Sequence, residues 1–253
     1  MREPLAAGVK AAAPFAALAA DYDRYRLGYS DELYDVLAEH GIVAGSRVLD
    51  VACGTGLVTV ELYARGCDVL GIDACEPMLE RARAHLAHAP FICTVVEETP
   101  FRSGRFDAAT CAQAFHWFDQ GRSFAELLRI VRPGGTLAIW WKTLMRGDPI
   151  RLLRAAAARE LGLEPAPEVL AEGFPAFERS ALADQRLRVI PWAVSMSREQ
   201  YLGYERSRAR AYEAYGERTD EYLARLERRL ATRPRLALSY LQMLYLGRVP
   251  ESA

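Results

Sequence analysis

At 253 residues the chain suits one large α/β domain, or a core carrying a small cap, and can bury a sizeable core. Its 51% apolar and 26% charged residues are those of an ordinary globular protein, and a formal net charge of −1 gives no bulk attraction to nucleic acid. No stretch approaches the roughly 18–20 apolar residues of a membrane span, so neither membrane nor nucleic acid is expected as a partner.

Residues 1–12 read as a loose arm. Phe15–Tyr25 is helical and runs into Tyr22-Asp23-Arg24-Tyr25-Arg26-Leu27-Gly28-Tyr29-Ser30. Asp31 is placed to cap a helix over Glu32–His40, where Leu33, Val36 and Leu37 recur at helical spacing. Val48–Val51 is a short buried strand. Gly54 and Gly56 then turn the chain into a helix over Leu57–Arg65. Val69–Asp73 is strand two, and Glu76–Leu86 is a helix with Pro77 in its first turn. Phe91–Val96, Asp107–Ala112 and Thr136–Trp141 are strands three to five, with a helix over Arg122–Val131 before the last of them. Beyond Lys142 come a helix at Pro149–Leu161, a loop marked by Pro165, Pro167, Gly173 and Pro175, and strand six at Leu187–Trp192. Helices at Arg198–Tyr215 and Asp220–Leu230 meet near Gly216, and Leu236–Leu246 is a final strand that returns antiparallel.

Strands alternating with helices predict an α/β fold: a Rossmann-like, doubly wound, mostly parallel seven-stranded sheet with an antiparallel last strand and a small helical cap. Residues 1–30 form an N-terminal lid segment and 31–145 the core. Residues 146–253 complete the sheet (about 175–194 and 235–249) and supply the cap (about 195–232). Cys53, Cys67, Cys75, Cys93 and Cys111 form no Cys-X-X-Cys pair and number five. They read as reduced thiols buried in the core of a cytoplasmic protein, with no disulfide frame and no metal site.

The Gly-X-Gly turn between strand and helix lets backbone N–H groups approach a ligand. A dinucleotide fingerprint needs a third glycine where Thr59 stands. Asp50 at the mouth of the turn would repel a pyrophosphate but attract an ammonium group. Asp73, ending strand two, is placed to accept from ribose hydroxyls. The two acids favour an adenosine ligand with a cationic tail over NAD.

Val-Leu-Asp-Val-Ala-Cys-Gly-Thr-Gly, then Gly71-Ile72-Asp73 with Pro77-Met78-Leu79, Arg105-Phe106-Asp107 and Arg132-Pro133-Gly134-Gly135, resemble in order and spacing the class I S-adenosylmethionine-dependent methyltransferases. The resemblance spans roughly residues 45–142. It implies S-adenosylmethionine as cofactor, S-adenosylhomocysteine as product, and a set of cofactor-binding residues. These are Tyr22, Tyr25 and Arg26 in the lid and Asp50, Ala52, Gly54, Thr55 and Gly56 at the first turn. Asp73, Ala74 and Met78, Val96 and Glu97, and Ala112 and Gln113 follow at the next strand ends. The family's lid motif carries prolines where Leu27 and Ser30 stand, so a less rigid lid is expected. Its adenine-binding Asp is replaced by Val95, which leaves that contact to the groups around Val96 and Glu97.

Phe115-His116-Trp117-Phe118 resembles a small-molecule branch that includes trans-aconitate methyltransferase-like proteins. His116 stands as a general base for a hydroxyl acceptor or as a pocket-lining residue. Trp117, Trp141, Tyr201 and Tyr204 are candidate substrate residues. Arg206, Arg208 and Arg210 could bind an acid, although alternate spacing on one helix would turn most of them to solvent. The expected function is methylation of a small molecule, most readily on oxygen, by a monomer or homodimer. A protein that binds S-adenosylmethionine without methylating, and an NAD-linked oxidoreductase, are the alternatives.

Overall fold

Strand β1 (Arg47–Val51) is an interior strand of a seven-stranded sheet and is covered on both faces. Val48 faces one apolar layer with Leu33, Leu37, Val58 and Leu62, and Leu49 faces the opposite layer with Phe106, Phe124 and Leu127. Burial on both faces is why this strand reads as a nearly unbroken apolar run. The computed structural model describes residues 7–166 and 174–251.

In chain order the elements are α1 (Ala7–Tyr25), α2 (Asp31–Glu39), β1, α3 (Leu57–Ala64), β2 (Asp68–Asp73), α4 (Glu76–His85), β3 (Phe91–Cys93), β4 (Phe106–Ala112), α5 (Gln120–Ile130) and β5 (Val131–Leu144). There follow α6 (Pro149–Arg159), α7 (Pro175–Glu178), β6 (Ala183–Ser197), α8 (Arg198–Arg206), α9 (Ala209–Tyr215), α10 (Thr219–Arg229) and β7 (Arg235–Arg248). The sheet order is β3-β2-β1-β4-β5-β7-β6. β1 to β5 are parallel, and β7 runs antiparallel to both β5 and β6. The fold is thus the expected doubly wound, mostly parallel sheet.

Several boundaries move. Among the described residues the first helix already begins at Ala7, within the expected loose arm, whose first six residues lie outside the described part, as do Pro167 and Gly173 of the loop. Ser30 caps α2, its hydroxyl accepting from Leu33 N–H, so Asp31 is the first helical residue and not the cap. Strand three ends at Cys93 instead of Val96, because Thr94–Glu97 must leave the ladder to reach the top of the sheet. Cys93 is exposed on this edge strand; the other four cysteines are buried.

The expected helix over 198–215 breaks at Ser207 and Arg208. Since β6 points the same way as β1 to β5, the helices between β6 and β7 emerge beyond the carboxyl ends of the parallel strands. Tyr201, Tyr204, Tyr215, Tyr222, Leu226 and Leu230 pack there with Ile150 and Ala157 of α6 into a second apolar core.

Helix α1 is tied to this cap and to the sheet. The Tyr25 ring covers Gly203 so closely that a Cβ there would collide with it. Arg26 donates to Ser207 O at 2.9 Å. Lys142 Nζ donates to the carbonyls of Leu27 and Gly28, and the Gln242 side chain bonds Ser30 through both its oxygen and its nitrogen. Where the resemblance led to a less rigid segment without its prolines, side chains from β5 and β7 pin the backbone instead.

Gly203 therefore sets the distance between lid and cap. Gly203→Ala is expected to push Tyr25 off α8 and cost about 1–3 kcal/mol through overpacking. Limited proteolysis should then cut residues 15–30 faster than in the wild type while the sheet resists; unchanged cleavage would show that the contact is unimportant.

Candidate active site

The carboxyl ends of β1, β2 and β4 open into one cavity, bounded on its far side by α1 and the cap. Two non-glycine residues turn the chain at these ends in the left-handed region: Ala52 after β1, with φ 52°, and Gln113 after β4, with φ 61°. Such conformations are costly and persist where the surrounding structure holds them. Both residues line the cavity.

The two glycines of the turn do different work. Gly54, with φ 56°, lines the cavity, and a Cβ placed on it would find Tyr22 Cε1 as its nearest neighbour, at 3.9 Å. A side chain here would enter the space between turn and lid. Gly56, with φ 85°, faces α4, where a Cβ would stand 3.2 Å from Ala82. It serves close packing of α3 on α4 and does not line the cavity. Thr55 is buried beside it and is likewise absent from the wall.

Asp50 departs most from expectation. It is 1% exposed, turned beneath the glycine turn, and its oxygens accept from Thr59 Oγ1 at 2.6 Å and Thr110 Oγ1 at 3.0 Å. Burial pushes its carboxyl up to about 6, against the opposite pull of the two hydroxyls. It does not line the cavity and offers no direct partner to a ligand ammonium. The same contact explains Thr59: the dinucleotide fingerprint's third glycine is replaced by the hydroxyl that Asp50 requires.

Asp73 is the acid that reaches the wall. One oxygen accepts from Gly54 N–H at 2.9 Å and the other from Cys75 N–H at 2.8 Å. A carboxylate accepts about four hydrogen bonds, so both oxygens keep capacity for a ligand. Burial raises its pKa and the backbone N–H groups oppose that rise. Ala74 and Met78 continue the wall, followed by Val95, Val96 and Glu97, then Ala112 and Gln113. Glu97 Oε1 accepts from Asp119 N–H at 3.1 Å, while Oε2 is buried with no partner among the described residues.

From the lid, Tyr22 and Arg26 line the cavity, with the Arg26 guanidinium 4.5 Å from the Tyr22 ring centre and 5.1 Å from that of Tyr204. Tyr25 instead packs into the cap. Of the expected substrate residues, Trp117 and Tyr204 line the cavity. Tyr201 is fully buried and donates to Glu205 at 2.8 Å, and Trp141 belongs to the apolar core behind His116. His116 lines the cavity and accepts a hydrogen bond from Trp141 Nε1 at 3.1 Å.

The cap arginines were expected to scatter around one helix. The break at Ser207 changes this. Arg208 and Arg210 line the cavity, and Arg206 pairs with Asp21 at 3.8 Å beside Tyr25. Lys142, Arg154, Leu144 and Tyr240 complete that side. Sequence reasoning missed Lys142 and Arg154 as cavity residues; a lysine at the end of an apolar strand was the one available signal.

Residues 49–139 match the methyltransferase domain family. An uncharacterized methyltransferase of Mycobacterium tuberculosis is 32% identical over 223 residues, 86% of this chain and 86% of that protein. The chain belongs to the methyltransferase family. A malonyl-[acyl-carrier protein] O-methyltransferase of Pseudescherichia vulneris is 32% identical over 171 residues, covering 66% of this chain and 67% of its own. A solved chain from Anaeromyxobacter dehalogenans, provisionally named a type II methyltransferase, superposes with a TM-score of 0.66 at 25% identity over 89% of this chain and 99% of its own. The methyltransferase uses S-adenosylmethionine as cofactor, and the NAD-linked alternative falls. The wall fits that group: Gly54 leaves a cradle that a Cβ would fill, and Asp73 keeps acceptor capacity.

The raised Asp50 carboxyl has a stability consequence. Its folded pKa lies above the unfolded value, so the folded methyltransferase keeps a proton that the unfolded chain has lost between about pH 4 and 6. Stability from this group is present below that window and falls as pH rises through it. Asp50→Asn, which cannot ionise, should stabilise the protein by on the order of 2–3 kcal/mol near pH 7 and by little near pH 4. Urea denaturation at both pH values checks the difference, and a gain equal at both would contradict it.

Proposed function

We propose that this methyltransferase moves the methyl group of S-adenosylmethionine to an oxygen atom of a small acidic molecule. The observation that carries the reading is one partly covered cavity whose wall combines Tyr204, Arg208 and Arg210 from the cap side with Gly54, Asp73 and Gln113 from the strand ends. A partly covered cavity of this kind supports a small acceptor over a nucleic acid or a membrane surface. The basic residues on the cap side support an acidic acceptor. The name of the relative from Pseudescherichia vulneris supports transfer to oxygen. The resemblance of Phe115–Phe118 to trans-aconitate methyltransferase-like proteins agrees with both.

When bound, the cofactor supplies an electrophilic methyl group on a sulfonium. The chain's residues hold, align and exclude water. Asp73 would accept from the ribose hydroxyls while Gly54 N–H keeps its carboxylate in place. Met78, Val95 and Val96 would flank the base, with the unpartnered Glu97 Oε2 as a polar group on the same loop. Tyr22 and Arg26 would close over the methionine part, Arg26 facing its carboxylate. Ala52, Ala74, Ala112 and Gln113 would border it through backbone. Trp117, Tyr204 and the cap arginines would receive the acceptor, and monomer or homodimer is the assembly proposed.

Calorimetric titration with S-adenosylmethionine, S-adenosylhomocysteine and NAD tests this directly. The first two are expected to bind and NAD is not. Asp73→Ala should weaken both by about tenfold to a hundredfold through lost charge-assisted hydrogen bonds. Binding of NAD in preference to the other two would sink the proposal.

A further inference from the structure

The hydrogen bond between Trp141 and His116 decides what the histidine can do. An indole N–H only donates, so His116 Nδ1 must present its lone pair, and the proton of the neutral ring resides on Nε2. Nε2 has no hydrogen-bond partner among the described residues, and His116 lines the cavity while Trp141 stands behind it. Burial, assisted by the charge of Arg210 from α9, pushes the ring's pKa down to about 4. Arg210 is the charged side chain acting on the ring among the described residues; its other close neighbours are the rings of Trp117 and Trp141. In this state the imidazole can donate at Nε2 but has no basic nitrogen to offer.

The acids and the lysine of the wall are assigned to other partners, Asp73 and Glu97 Oε2 to the cofactor as described above. Asp73 stands at the end of β2, separated from β4 by β1, and accepts from two backbone N–H groups. Glu97, on the loop after β3, holds Asp119 N–H through Oε1, and its Oε2 is the atom set beside the cofactor's base in the reading above. Lys142 donates to two carbonyls of the lid segment. A neutral alcohol or phenol would have to lose a proton here with no free imidazole to take it.

We propose that Trp141 fixes His116 as a hydrogen-bond donor, and that the methyl acceptor is a carboxylate, already ionised on entry and held by His116 Nε2–H and the Arg210 guanidinium. This rests on transfer to oxygen as proposed above. One carboxylate oxygen forms the new O–CH3 bond as the S–CH3 bond breaks, and its electron pair stays on sulfur. The products are a neutral methyl ester and S-adenosylhomocysteine, and no proton is released. Trp141 acts through His116 and is a positioning residue.

The tautomer is measured first, on the wild-type full chain, by nitrogen NMR of the four labelled histidines, with His116 assigned by its loss in His116→Gln. An unprotonated Nδ1 and a protonated Nε2 are expected from about pH 5 to 8. A proton on Nδ1, or a ring titrating in the ordinary imidazole range, overturns the assignment. The acceptor class is then tested with methyl-labelled S-adenosylmethionine and a panel of short di- and tricarboxylates and aryl carboxylates, against alcohols and phenols of the same skeletons. Label that mild alkali releases as methanol, with no net proton per turnover, is expected. Label in an alkali-stable product with one proton released overturns the carboxylate. Label in no carboxylate, although the cofactor binds, overturns it too. Failure of S-adenosylmethionine to bind would instead remove the underlying transfer reading. His116→Gln, which keeps an N–H donor but no base, should retain turnover within about tenfold, whereas His116→Ala should lose about tenfold more. Trp141→Phe should free Nδ1, so that a ring protonated on Nδ1 becomes detectable in the same spectra, which the wild type does not show. Loss of activity in His116→Gln equal to that in His116→Ala would show that donation at Nε2 is not the role.

Discussion

The buried carboxylate of Asp50 is the constraint beneath the whole site. Taking it out of water is unfavourable, and two hydroxyls offset part of that cost, one from α3 and one from β4. The contacts tie β1 to its neighbour and to the helix that follows the glycine turn. The backbone above is thereby obliged to bend within a few residues, through positive φ at Ala52, Gly54 and Gly56. Asp73 completes the arrangement from β2 by accepting from Gly54 N–H. One acid lies under the turn and shapes it; the other lies beside the turn and faces the cavity.

The cap follows a similar logic at the opposite wall. Glu205 is fully buried and survives there because Tyr201, Arg208 and Arg154 surround it, at 2.8, 3.1 and 3.4 Å. An ionised group in such a place needs partners on several sides. The chain supplies Arg208 by leaving the helix after Arg206: the residue takes an extended conformation, φ −88° and ψ 103°, before α9 begins. The break brings Arg208 back over Glu205 and points α9 so that Arg210 reaches the cavity. The positive charge on the cap side of the cavity accompanies the way the cap's own buried acid is satisfied.

The lid depends on both walls. Tyr25 occupies the space over Gly203, Arg26 reaches Ser207, and Lys142 holds the carbonyls of Leu27 and Gly28. Burial lowers the pKa of Lys142 strongly, and Arg26 adds to this; the ammonium lies over the rings of Tyr29 and Trp192, with no carboxylate bonded to it among the described residues. Lid segment, strand end and cap are thereby joined by direct contacts.

The parallel core was legible in the residues because buried strands and amphipathic helices carry their own periodicity, and because Gly54, Gly56, Asp73 and Pro77 are needed locally wherever such a turn is built. The resemblance to the family and the expectation of its cofactor came from residues 45–142. What could not be read there are the directions of side chains set by distant contacts. Asp50 looked like a ligand-facing acid until Thr59 and Thr110 closed on it. Trp141 and Tyr201 read as aromatic candidates like Trp117 and Tyr204, yet packing placed two outside the cavity and two in its wall. His116 was open between base and lining residue because a tautomer depends on a partner 25 positions away. Local pattern determines which elements form and where the chain must turn; long-range burial and hydrogen bonding decide which atoms those turns expose.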